Sequence, residues 1–143
     1  MKDLTRFEKA QHPCYQKALA ELQKGRKSSH WMWYIFPQLT GLGVSRTARY
    51  FGITDLEEAR AYLAHPVLGA RLRESAAAIL CHADKTAIEI LGYTDAQKLR
   101  SSMTLFEAAE GEGSVFTEVL NTFFEGERDG KTENILGVGQ KNP

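Results

Sequence analysis

The chain has 143 residues, 43% hydrophobic and 25% charged, with 18 basic side chains balanced by 18 acidic ones. That composition suits one domain with a single core, and a net charge of zero leaves no global field to draw in nucleic acid or an anionic membrane. Cys14 and Cys81 lie far apart and outside any C-x-x-C, which argues against zinc and a secreted disulfide scaffold; no stretch approaches the roughly 18 apolar residues of a membrane span, and Met1 to Ala10 has no signal core. A soluble cytoplasmic protein is expected.

From Pro13 to Lys24, Tyr15, Ala18, Leu19 and Leu22 recur at helical spacing, and Gly25 stands where that helix would stop. Arg26 to Ser29 reads as a basic turn. The run His30 to Gln38 then gathers both tryptophans of the chain with Met32, Tyr34, Ile35 and Phe36. It reads either as a helix that breaks before Pro37 or as a short buried strand. Gly41 to Gly43 is a turn, Ser45 is a cap, and Arg46 to Phe51 forms a short helix closed by Gly52. Thr54 or Asp55 caps a helix ending at His65-Pro66, and Pro66 suits the first turn of the next, which fades by Asp84. A small apolar cluster from Ala87 to Leu91 ends at Gly92. Thr94 and Gln97 form a T-x-x-Q capping box ahead of a helix toward Gly111, and Ser114 caps a last strong helix with Gly126 behind it. From about residue 127 the chain turns polar and glycine-rich, which predicts a partly ordered tail. With no repeat and no clear period-two strand, the prediction is a single all-α domain over 1–143, of about six to eight helices.

Three standard catalytic patterns can be tested, and each fails. Gly41-Leu42-Gly43 lacks the third glycine of a dinucleotide loop, with Arg46 in its place, and Gly43 to Thr47 lacks the closing glycine of a nucleophile elbow. The four histidines show no metal-ligand spacing, so neither a metal nor a cofactor is expected. What remains is polar groups among apolar ones. His30, Trp33, Tyr34 and Pro37 would share one side of a helix, and Trp31 or Trp33 could stack on a ring; Gln38 offers an amide from a turn. Ser45, Arg46 and Arg49 suggest an anion seat, or else a solvated arginine face. Asp95, Lys98 and Ser102 fall at i, i+3 and i+7 with Ser101 and Thr104 alongside, a column that could hold phosphate or simply bond back to the preceding turn. The lysine precedes the serine, unlike the S-x-x-K of penicillin-recognising enzymes.

Taken together, His30 to Gln38, Gly41 to Ser45, Tyr62 to Pro66 with Leu68 to Leu72, and Asp95 with Lys98 to Phe106 resemble a bacterial family known as domain of unknown function 1810, sometimes mislabelled calpastatin. The resemblance covers nearly the whole chain and implies a compact all-α fold without assigning an activity. A weaker likeness, to helical bacterial domains acting on ADP-ribose and phosphoribosyl N-glycosides, implies only a ligand class. The expectation is a pocket walled by the aromatic run and floored by Lys98, Ser101 and Ser102. It would bind, and by extension hydrolyse, a small phosphorylated or ribosylated metabolite. Lys98 with Arg46 or Arg49 would hold anionic oxygens, and His30 or Asp95 would move protons. The alternative is a non-enzymatic protein-interaction module. The sequence leaves the oligomeric state open and disfavours nucleic acid as a partner.

Overall fold

The computed structural model describes residues 3–138. Ten helices appear among them: α1 Thr5–Gln11, α2 Tyr15–Lys24, α3 Met32–Ile35, α4 Arg46–Tyr50, α5 Leu56–Ala64, α6 Leu68–Leu80, α7 Ala87–Leu91, α8 Tyr93–Glu110, α9 Val115–Phe124 and α10 Gly130–Leu136. The all-α reading holds. Among the described residues the only β pairing is an isolated parallel bridge between Leu39 and Ile53, and no helix is long and apolar enough to cross a membrane.

Helix α8 is the axis. It packs against α5, α7, α9 and α10, while α6 runs beside α2, α5 and α9. Every residue from Ser101 to Glu107 is buried, so this stretch of α8 is enclosed on all sides. Phe106 lies between the rings of Tyr62 and Phe116, and Tyr62 meets the edge of Phe7, which carries the core from α9 back to the N-terminal helix.

Local chemistry explains most helix ends, though not always by the predicted residue. Ser45 and Asp55 cap α4 and α5 through their side chains, accepting from Ala48 N–H at 3.1 Å and Glu58 N–H at 2.9 Å. The capping box expected at Thr94 and Gln97 is found instead at Thr86 and Glu89, ahead of α7. Helix α8 already begins at Tyr93, so Thr94 is inside it. Ser114 precedes α9 but makes no side-chain cap. His65, between α5 and α6, accepts from Val67 and Leu68 N–H, both at 3.1 Å, and so opens α6 where Pro66 had been expected to. Two helices escaped the sequence reading: α1, and α10 within the segment expected as a tail. Residues 139–143 of that tail lie outside the described residues.

Two devices fix the loop that carries α4. The Leu39–Ile53 bridge closes its base, with Ile53 N–H donating to the Gln38 carbonyl and Thr40 N–H to the Ile53 carbonyl, both at 2.8 Å. Arg6, buried, donates to the carbonyls of Tyr50 (2.7 Å) and Gly52 (3.0 Å) and pairs with buried Glu58 at 3.2 Å. The end of α4 is therefore anchored to α1.

Candidate functional site

The site begins at Glu21 of α2. Its carboxylate accepts from Ser28 N–H (2.9 Å), Ser29 N–H (3.0 Å), the Ser29 hydroxyl (2.6 Å) and the Trp31 indole N–H (2.8 Å). Burial alone would raise its pKa, but these four donors outweigh it and hold the carboxyl at about 2. The Arg26–Ser29 turn is thereby folded onto α2, and Lys27 N–H adds a 2.8 Å bond to the Ile90 carbonyl.

Held in this way, Lys27 reaches Asp95 in the first turn of α8, with its ammonium 2.8 Å from one carboxylate oxygen. Lys98, one turn on, stands 3.4 Å from the other. Lys98 also lies over the Trp33 ring, 4.3 Å from its centroid. Opposite are His30, Tyr34, Thr47 of α4 and Phe51 just beyond its end; these groups line a cleft of about 430 Å³. The Tyr34 hydroxyl donates to the His30 carbonyl at 2.8 Å, and the Tyr34 ring packs on Phe51 at 5.2 Å. Two ammonium groups around one carboxylate leave an excess positive charge beside aromatic faces, an arrangement suited to an anion carried on a flat ring.

Of the predicted site residues, the structure brings His30, Trp31, Trp33, Tyr34, Asp95 and Lys98 to this cleft. Trp31 is 1% exposed with its indole N–H donated to Glu21, so Trp33, half-buried, is the tryptophan that can meet a ligand. Ser101 and Ser102 do not form the floor. Both are buried where α8 runs through the core, and the Ser101 hydroxyl bonds back to the Gln97 carbonyl at 3.2 Å. Gln38 is also buried, beneath the base of the α4 loop, and lines none of the clefts described. Ser45 serves as the α4 cap. Arg46 and Arg49 project from the other side of α4, whose 47 and 51 positions face the aromatic cleft, so they do not join Lys98. Lys27, Thr47 and Phe51 were missed. The spacing of 47 and 51, one helical turn apart, is the signal that could have found the last two.

Among the described residues no group of three or more His, Cys, Asp or Glu side chains could hold a metal ion. The model of DUF1810, a protein of unknown function, matches residues 1–136. The chain belongs to the DUF1810 family. Its fold is similar to the crystal structure of the conserved hypothetical protein Rv1873 from Mycobacterium tuberculosis, with 45% identity, coverage of 95% of this chain and 97% of that one, and a TM-score of 0.93. No curated protein matches. Membership of the DUF1810 family thus agrees with the helical fold and leaves the use of the cleft to be argued from its chemistry.

Proposed function

We propose that the cleft between the aromatic run, α4 and the start of α8 binds a small cytoplasmic metabolite of phosphorylated or ribosylated type, a nucleotide or an ADP-ribose-like molecule. The convergence of Lys27, Lys98 and Asp95 with the Trp33 and Tyr34 rings carries this reading. In it a flat ring lies against Trp33 or Tyr34, and the two lysines, already gathered by Asp95, hold anionic oxygens. Hydrolysis would draw on His30, exposed at the rim, or on Asp95 to move protons.

A second reading, a protein-interaction module, draws support from Val44 and Tyr50, 83% and 57% exposed on the α4 loop. A thermal-shift screen against nucleotides, NAD fragments and sugar phosphates separates the two. A nucleoside monophosphate or sugar monophosphate at 100 times its Kd stabilises by about 2.7 kcal/mol, and that gain should vanish in Lys98→Ala and His30→Ala while each variant alone stays within about 1 kcal/mol of the parent. No stabilisation by any compound, with folded protein, would overturn metabolite binding in favour of the interaction module.

A further inference from the structure

On the other side of α4 lies a second cleft, of about 590 Å³, between that helix and α1. We propose that it binds an oligophosphate group, the di- or triphosphate end of a small ligand, independently of the aromatic cleft.

The chain as a whole is neutral, yet this cleft concentrates one sign of charge. Lys9 comes from α1, Arg46 and Arg49 come from α4, and the carboxylate among the lining residues is Asp3. Asp3 accepts from the Thr5 N–H at 2.9 Å and the Thr5 hydroxyl at 2.5 Å, and its single negative charge is outnumbered by Lys9, Arg46 and Arg49. Among the described residues neither Lys9 nor Arg46 is joined to a carboxylate by an ion pair. Arg6 lines the cleft too, but its guanidinium is committed to the carbonyls of Asp3, Tyr50 and Gly52 and to Glu58. Its part is to fix α1 against the last turn of α4, so that cations from two helices face one space at a set separation.

Geometry selects the ligand. Cations contributed from two walls are best answered by an anion with several charged groups, and a chain of phosphates offers each wall its own oxygens where a single phosphate offers one group to both. Guanidinium forks match phosphate oxygens in pairs, and the long aliphatic stems of Lys9, Arg46 and Arg49, with the half-exposed Tyr50 ring, give the cleft apolar sides that strengthen the field within it.

The test is isothermal titration of the full chain with inorganic tripolyphosphate and, separately, with inorganic phosphate at low salt. Tripolyphosphate should saturate one site and bind more tightly than phosphate. Arg46→Ala and Lys9→Ala should each weaken it about tenfold, and Lys98→Ala should leave it unchanged. Arg49 also engages the fold itself, so the other two substitutions decide the matter. The proposal is overturned if tripolyphosphate shows no saturable binding, if Arg46→Ala and Lys9→Ala bind like the parent, or if Lys98→Ala removes the binding. Because the aromatic cleft is probed by Lys98 and this one by Arg46 and Lys9, either reading can fail while the other stands.

Discussion

Replacing Glu21 by glutamine tests the foundation of the aromatic cleft. Three of the four donors, the Ser28 and Ser29 N–H groups and the Trp31 indole, share one carboxylate oxygen and the Ser29 hydroxyl takes the other, so an amide that keeps its oxygen on the three turns its NH₂ to the Ser29 hydroxyl and loses the negative charge that these donors stabilise. The magnitude follows from the proton affinity. The pKa falls from an ordinary 4.5 to about 2, and each tenfold change in proton affinity is worth about 1.4 kcal/mol. That sets a ceiling of about 3 kcal/mol, which solvent screening at the turn reduces to about 2 kcal/mol. A lowered folded-state pKa gives stability that is complete above about pH 4.5 and lost as the pH falls toward 2. Urea unfolding followed by tryptophan emission should therefore show Glu21→Gln less stable by about 2 kcal/mol at neutral pH, the gap narrowing by about 1 to 2 kcal/mol at pH 3. Equal stability at neutral pH, or a gap that stays constant down to pH 3, would refute the reasoning.

Arg6→Met should lower stability by about 3 to 5 kcal/mol in the same assay, because it leaves Glu58 buried without its guanidinium; a loss under 1 kcal/mol would contradict this account of the anchor. Gly69→Ala should destabilise by about 1 to 3 kcal/mol, since an added methyl would sit 2.1 Å from the Leu63 carbonyl oxygen, whereas Gly130→Ala, with open space around it, should be within about 1 kcal/mol of neutral. Toward a thiol reagent near neutral pH, exposed Cys81 should be modified well before Cys14, whose thiol is half-buried, donates to the Ala10 carbonyl at 3.2 Å and has its pKa pushed up by burial against a smaller opposing effect of Arg71.

Much of the fold was legible because helical spacing and glycine stops are local signals, as at Tyr15 to Gly25 and at Val115 to Gly126. Helix α1 was not, since its stability comes from Phe7 and Arg6 meeting residues far along the chain, and neither contact leaves a mark on the local pattern. The column Asp95, Lys98, Ser102 was read as one polar face, and it divides. Asp95 and Lys98 occupy the turns of α8 that protrude, and Ser102 lies where neighbouring helices surround it. Helical spacing gives a direction about the axis but not the depth at which the core begins. Lys27 was hidden for another reason, because a basic turn is ordinarily solvated and this one is folded inward by the carboxylate of Glu21 and the carbonyl of Ile90, which lie elsewhere in the chain. Trp31 and Trp33 stand two apart in a strongly aromatic run, and the same carboxylate decides which of them is enclosed.

Apart from the Asp3 carbonyl, the partners of the Arg6 guanidinium lie 44 to 52 positions further along the chain. Helix α1, at seven residues, is too short to persist alone, so in a refolding chain Arg6 gains its carbonyl partners at the end of α4 and its carboxylate only once the stretch through Glu58 has been gathered. Helices α5, α6, α8 and α9, which pack on one another, can assemble before that. The end of the loop bearing α4 takes its final shape only with Arg6 in place, so the wall between the two clefts is expected to order late as the chain folds.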